Sequence, residues 1–487
     1  MSIWQARVIW AALGLVLSLI HEPFGLWPLA FGGLFAVFWI SGSGGLGLKP
    51  FGQGWWLGLG YFAGTFNWIV SPFFVKPEVH GWLMPFGLGG MAGGLALFWG
   101  VAFVLAGKLR GRMNHAVALG LSLAALELAR SEVLTGLPWG MFAQAFVYTG
   151  FGQALAVIGP HGLGLLIISI AVLPFVMNRR WIGGALALVV FFGVEVWGQL
   201  RLSQDTVLTD LNVRLLQTNN PQDKKWQPEW REVYFADNLD LSRSAGDPDV
   251  VIWPENAVTW ALNDIPTRRV DIAMAAGNKP VLVGGYHYVE QSYYNALARL
   301  GPVGQIEHLY NKYHLVPFGE YVPGVRLWER LGLAGLLPPY WTPGVRPDVV
   351  YSDALPPYLP QICYESIFTR YGFAASGRPE WIVLVTNDAW FGAFSGPQQH
   401  LAQARMRAIE QGLPVARVAN TGISAMIDGH GRVLASLPMN VRDVLDHDLP
   451  KSLQPTVYSA WRQWPAVLLG LLLLTLGLFT KRQDPLV

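Results

Sequence analysis

The chain has 487 residues: 52% are hydrophobic, only 14% are charged and 22 are tryptophan. A soluble domain carries about 25% charge, so part of this chain is expected in lipid, and the length suits about two to four domains. A single cysteine excludes an intrachain disulfide framework or a thiolate zinc cluster. A net charge of +2 gives no sign of nucleic-acid binding, and ten scattered histidines without HExxH predict no metal site.

In chain order, the apolar excess fills residues 1 to about 200 and returns once near the C-terminus. Spans are predicted at 7–20, 27–41, 55–72, 81–106, 116–130, 153–177, 182–200 and 464–480, near the length a bilayer core demands. The first is read as a membrane helix, because "HEPFG" follows it without a small-x-small cleavage site. Glycines in "MPFGLGGMAGGLALFWG" are expected to let helices approach closely. With Arg7 on the cytoplasmic side, Lys49, then Lys108, Arg110 and Arg112, then Arg179 and Arg180, and finally Lys481 and Arg482 all fall inside. The opposite short loops carry Lys76 and Arg130 alone. That alternation predicts eight spans, both termini inside, and residues 201–460 outside. Glu127 can pair with Arg130, whereas Glu195 has no obvious local partner; a structural pairing and a role with lipid headgroups both remain open. The Trp-bearing stretch 134–150 is expected to form an interfacial arm.

From about residue 211 short apolar runs bounded by turn residues alternate with amphipathic segments. "VRLLQTN", "DVVIWPENA", "KPVLVGGYH", "YNALARLG", "WIVLVTNDAW", "LPVARVAN" and "ISAMIDGHGRV" read as strands. "WQPEWREVYFADNLDL", "PTRRVDIAMAAGN" and "GPQQHLAQARMRAIEQG" read as helices. The alternation predicts an α/β domain. The expected division is thus 1–200 with seven transmembrane helices, 201–460 as the outer catalytic domain, and 461–487 with the eighth helix and a tail.

Three reactive side chains stand at strand ends or on the loops that follow, where active sites collect: Glu255 after "VVIWP", Lys312 in "LYNKYHLVPFGEY" and Cys363 closing "LPQIC". A lone cysteine is most often inert packing, and each charge alone could be structural. Together the three suit covalent acyl transfer. A carboxylate can take the thiol proton, and an ammonium with a main-chain N–H can stabilise the oxyanion that attack on a carbonyl creates. Lys312 would supply the first donor and the Tyr364 N–H the second, with Glu320 holding Lys312 charged and Glu365 in a similar supporting role.

At these residues the chain resembles the nitrilase superfamily and, more closely, the apolipoprotein N-acyltransferase family of bacterial inner membranes. The resemblance rests on "WPENA", "YNKYHLVPFGEYVP", "ICYESIF", "TNDAWFG" and "GPQQHLAQARMRAIEQGLPVARVANTGISAMID", and it extends over the spans. It implies a nitrilase-like αββα sandwich in the periplasm on about eight membrane helices, with neither metal nor organic cofactor, acting as a monomer. The implied catalytic residues are Glu255, Lys312 and Cys363, and the supporting residues Trp226, Glu320, Tyr364, Glu365 and Trp390. The implied reaction has two steps. Cys363 takes an acyl chain from a phospholipid, at sn-1 by family precedent, and the α-amine of a diacylglyceryl-cysteine apolipoprotein then resolves the thioester. Two other readings stand beside it: a membrane-tethered amidase or nitrilase-type hydrolase with the same triad, and a transporter whose outer domain only binds ligand.

Overall fold

The computed structural model describes residues 1–324, 330 and 340–479; the Lys481–Arg482 pair expected to mark an inside tail lies outside them. The chain forms two compact units. One comprises Met1–Asp205, Phe394–Gln411 and the segment from Gln454 onward; the other comprises Thr206–Ala393 and Gly412–Leu453.

In the first unit, apolar helices occupy Ile3–Ser18, Pro28–Gly42, Pro50–Thr65, Met84–Leu109, His115–Glu132, Leu155–Val176, Arg180–Leu202 and Trp464–Phe479. Among the described residues, three segments are long and apolar enough to cross a membrane: Pro77–Leu109, Phe151–Val176 and Arg180–Leu202. The span expected at 55–72 is displaced, because Pro50 opens the helix with its φ already set and the helix ends at Thr65. Helices Ile3–Ser18 and Pro50–Thr65 pack through reciprocal glycines. A Cβ at Gly14 would lie 1.9 Å from the Leu57 oxygen, and one at Gly60 would lie 1.9 Å from the Ala11 oxygen. Small residues let these backbones touch, as membrane helices require.

Both acids singled out in the spans have structural partners. Glu127 accepts from the Trp99 indole at 2.8 Å and pairs with Arg130 at 2.6 Å. The guanidinium also donates to the Leu137 and Trp139 oxygens. Glu195 accepts from the main-chain N–H groups of Gly150 and Phe151 and from Gln199. The stretch 134–150 is not the interfacial arm expected. Trp139, Phe142 and Phe146 are buried, and the Trp139 indole donates to Gln399 at 2.7 Å. Its polar groups are satisfied inside the unit, so the segment packs as core. Helix Gly396–Gln411, read as amphipathic, is buried along almost its whole length and groups with this first unit.

The second unit is built on two sheets. Strands β1 (Leu208–Gln217), β2 (Val250–Ile252), β3 (Val281–Val289), β4 (Ser292–Leu300), β5 (Ile306–Asn311) and β11 (Asp443–Pro450) form one, in the order β11-β1-β2-β3-β4-β5. Strands β6 (Tyr358–Ile362), β7 (Trp381–Thr386), β8 (Val415–Ala419), β9 (Ala425–Ile427) and β10 (Val433–Ser436) form the other, in the order β10-β9-β8-β7-β6. β1-β2-β3 and β6-β7-β8 are parallel. Pro360, which lacks an N–H, is tolerated because β6 is an edge strand. Leu215, Ile252, Leu282 and Leu297 of one sheet meet Ile362, Val383, Val385 and Val418 of the other in a single core. Intervening residues Leu216, Val251, Val283 and Ala298 face outward onto Phe235, Leu239 and Ile272 of the helices Pro228–Ser242 and Pro266–Ala275. Burial on both faces is why the strands read as continuous apolar runs instead of alternating ones.

Candidate active site

Each of the three reactive residues follows a strand end. β2 stops at Ile252, but Trp253 N still donates to Leu282 O at 2.8 Å, carrying the chain along β3 to Glu255. Gly284 lies beneath this turn: a Cβ there would come 2.1 Å from Pro254 O, so the approach requires glycine. Lys312 directly follows β5, and its N–H continues the ladder to Asn295 O of β4 at 2.8 Å. Cys363 follows β6 with φ +50°, a left-handed conformation rare for a side-chain-bearing residue, and opens the 3₁₀ turn Cys363–Ile367. Holding a non-glycine residue there costs about 1–2 kcal/mol, so neighbouring bonds must pin it. The Ser366 hydroxyl donates to Cys363 O at 2.9 Å.

The acids and the lysine form one buried network. Lys312 Nζ donates to Glu320 Oε1 at 2.8 Å and reaches Glu255 Oε1 at 3.4 Å. Asn295 Nδ2 donates to the same two oxygens, at 2.7 Å to Glu255 and 3.1 Å to Glu320. The second Glu255 oxygen accepts from Asn387 N, just after β7, at 2.8 Å. Val316 N holds Glu320 Oε2 at 2.8 Å. The base candidate is therefore fixed at both oxygens, and the ammonium is fixed by two carboxylates.

Two family models match the chain: the apolipoprotein N-acyltransferase N-terminal domain over residues 13–173, and the carbon-nitrogen hydrolase over residues 229–458. The apolipoprotein N-acyltransferase of Rhodopseudomonas palustris is 36% identical, the match covering 98% of this chain and 96% of that protein. Those of Bradyrhizobium diazoefficiens and Caulobacter vibrioides are each 34% identical, over 96% and 94% of this chain and 93% and 91% of theirs. The chain belongs to the apolipoprotein N-acyltransferase family. Membership favours an acyltransferase over the hydrolase and transporter readings, and a membrane protein, in keeping with its apolar helices.

Electrostatics in this acyltransferase set the resting protonation states. Burial opposes the charge on Lys312, but Glu320 and then Glu255 outweigh it, and the ammonium is held above the usual lysine range. Burial pushes the Cys363 thiol well up; the Glu255 charge adds to that shift and Lys312 offsets part of it. Cys363 thus rests as a thiol, and to act as a nucleophile it would need a base at the moment of attack.

Glu365 does something other than the Lys312 support expected of it. Fully buried, it accepts from the Tyr310 hydroxyl at 2.6 Å, Tyr313 N at 2.8 Å and His314 N at 3.2 Å on one oxygen, and from Ile362 N at 2.7 Å on the other. It ties the segment after β5, which carries Lys312, to the turn that carries Cys363. Burial pushes its carboxyl up to about 7, while the bonds from Tyr310, Ile362 and Tyr313 pull it down. Three fixed main-chain donors are fully satisfied only by the carboxylate form.

The remaining predicted residues stand around this network. Tyr364 is buried in the turn beside Cys363, its ring 5.4 Å from His314 and 5.1 Å from Phe368. Trp226 packs on Tyr286 at 6.1 Å, and Tyr286 in turn lies 6.2 Å from Trp341, whose N–H donates to Glu320 O. Trp390 is 42% exposed in the turn Asp388–Phe391. Asn295 and Asn387 escaped the sequence reading; the pair "YN" in β4 and the "TN" before Asp388 carry no signal of carboxylate binding by themselves. Asp388 is likewise buried, bound by Arg417 at 2.5 Å and by the Thr386 hydroxyl at 2.8 Å.

Proposed function

We propose that this enzyme N-acylates the N-terminal diacylglyceryl-cysteine of apolipoproteins, with a phospholipid as acyl donor and Cys363 as the covalent carrier. In the first half-reaction Glu255 takes the Cys363 proton as sulfur attacks the ester carbonyl. The Lys312 ammonium and the Tyr364 N–H face the oxyanion, a type of donor worth about 3–4 kcal/mol of transition-state stabilisation. The tetrahedral intermediate expels the glycerol oxygen, which takes the proton back from Glu255 and leaves as lysophospholipid. In the second half-reaction the neutral α-amine attacks the thioester carbonyl, Glu255 takes its proton, and that proton returns to the departing Cys363 sulfur. Glu320 keeps Lys312 charged and aimed; Trp226 and Trp390 line the approach of the lipid chains.

The observation that carries this reading is the Glu255–Lys312–Glu320 network beside a left-handed Cys363 in a chain of this family. The apolar helices support a base of eight membrane crossings, within residues 1–200 and again from 461, with residues 201–460 in the periplasm of a bacterial inner membrane and both termini cytoplasmic. Keeping both lipids in the bilayer avoids exposing their chains, about 0.8 kcal/mol per CH₂. We take the working form to be a monomer. The test is intact-mass analysis after incubation with phospholipid. An acyl adduct on the wild type, absent from Cys363→Ala and discharged by a diacylglyceryl peptide into N-acyl peptide, is the expected result. An equal adduct on Cys363→Ala, or free fatty acid as the main product with the peptide present, overturns the proposal.

A further inference from the structure

Glu255 is flanked by two buried lysines, and only one of them bonds to its carboxylate. Lys312 does so at 3.4 Å. Lys225, three residues before the helix Pro228–Ser242, is as enclosed as Lys312, each 1% exposed, and its ammonium donates to the main-chain oxygen of Glu255 at 3.2 Å. Lys312 has two carboxylates within 4 Å; among the described residues Lys225 has none at that distance. Burial accordingly pulls Lys225 down to about 8, with Glu255 as the charge that holds it up. A buried ammonium without a contacting carboxylate is expensive to keep. Any neutral donor, such as an amide, would satisfy the Glu255 carbonyl at far lower desolvation cost. What the lysine adds is positive charge.

The charge has a specific place to act. The titratable groups that act on Glu255 or on Cys363 come from four directions: Lys312 and Glu320 from the segment after β5, Cys363 itself from the turn after β6, Asp388, which acts on the thiol, from the turn after β7, and Lys225 from the segment before the helix. Asp388 is already paired with Arg417. Among the described residues, Glu255 thus has two lysine ammonium groups beside it, Lys312 at its carboxylate and Lys225 at its carbonyl. The bond also closes on the turn where Asn256 adopts φ +51°, a left-handed residue directly after Glu255.

We propose that Lys225 is a positioning residue for acyl-enzyme formation: it clamps the Glu255 turn through the carbonyl and places a second positive charge behind the carboxylate that accepts the Cys363 proton. The inference rests on the reading of Glu255 as base and Cys363 as nucleophile. Removing the charge takes away an attraction that favours the carboxylate over its protonated form, so acylation fails sooner as pH falls.

The experiment follows single-turnover acylation of Cys363 by intact mass, in phospholipid–detergent micelles from pH 5 to 9, for wild type, Lys225→Met, Lys225→Gln and Lys225→Arg, with melting curves for each. For Lys225→Met the acid limb moves up by about one pH unit, an approximately tenfold slower reaction on that limb. Lys225→Gln, which keeps a donor without charge, shifts it equally, and Lys225→Arg restores most of the wild-type limb. A purely structural lysine would lower the melting temperature and leave the limb in place. Should Lys225→Met not fold, the Gln and Arg variants decide the matter. Neutral variants with the wild-type limb, or an arginine variant shifted as far as the neutral ones, overturn the proposal. No thioester on the wild type at any pH defeats the underlying function instead.

Discussion

Replacing Glu365 by glutamine changes one atom in a fully buried side chain and tests whether this residue holds the site together. The carboxylate accepts four hydrogen bonds, three on Oε1 and one on Oε2. If the glutamine oxygen keeps the three-donor side, its NH₂ confronts the Ile362 N–H at the 2.7 Å position, donor against donor. One buried N–H left unsatisfied costs about 1–3 kcal/mol, and the surviving bonds fall from the charge-assisted range of about 1.5–3 to about 0.5–1.5 kcal/mol each. The flipped amide is worse, since three donors then lose their acceptor. The neutral amide escapes the burial penalty that pushes the carboxyl up to about 7, which offsets part of this, so the expected net loss is about 1–3 kcal/mol, or a melting temperature lower by roughly 5 °C for a unit of this size. Cys363 acylation should fall with it, because Ile362 N belongs to the residue directly before the left-handed Cys363. Denaturant melts in detergent give the stability, and intact mass gives the acylation. A Glu365→Gln protein within about 0.5 kcal/mol of wild type and fully acylated would refute the brace.

Glu320→Gln leaves Lys312 with Glu255 alone. Losing one partner of a buried pair costs about 3–5 kcal/mol, and the surviving 3.4 Å contact places this case at the lower end. Because the folded Lys312 value is raised, its stabilisation is complete below the usual lysine pKa and lost only as pH rises through the folded value. Alkaline unfolding should therefore begin at lower pH in Glu320→Gln, and identical alkaline profiles would contradict the ion-pair assignment. The raised Cys363 thiol predicts that iodoacetamide labels the native protein more slowly at pH 7 than the urea-unfolded chain, whose thiol is near the free value of about 8.5. Faster native labelling would mean a preformed thiolate. Gly60→Ala sets a methyl against the Ala11 oxygen and should cost about 1–3 kcal/mol by forcing two helices apart. An unchanged SDS-unfolding midpoint would show that the contact is loose.

Much of the site was legible because strand ends and their following turns are local features. Glu255 and Cys363 each follow a short apolar run and Lys312 sits in a loop-like motif, and the structure places each within three residues of a strand end. The partners of those residues were not legible. Asn295 reaches Glu255 because β4 pairs with both β3 and β5, setting Asn295 opposite Tyr286 and its carbonyl against Lys312. Asn387 arrives from the other sheet, 132 residues away in the chain. Glu365 reads locally as a neighbour of Cys363, yet three of its four bonds go to residues more than 50 positions earlier.

Hydrophobic patterning and turn chemistry were enough to predict the α/β alternation and a run of apolar helices before it, since each depends on a residue's near neighbours. Tertiary structure alone decided which polar groups are paid for inside the protein. It buried the segment 134–150 against Gln399 and Arg130, drew helix Gly396–Gln411 into the first unit, and brought the Lys225 ammonium to the Glu255 carbonyl. A buried charge or amide is tolerable only where a partner reaches it, and where that partner is remote in the chain, sheet register and packing set the distance.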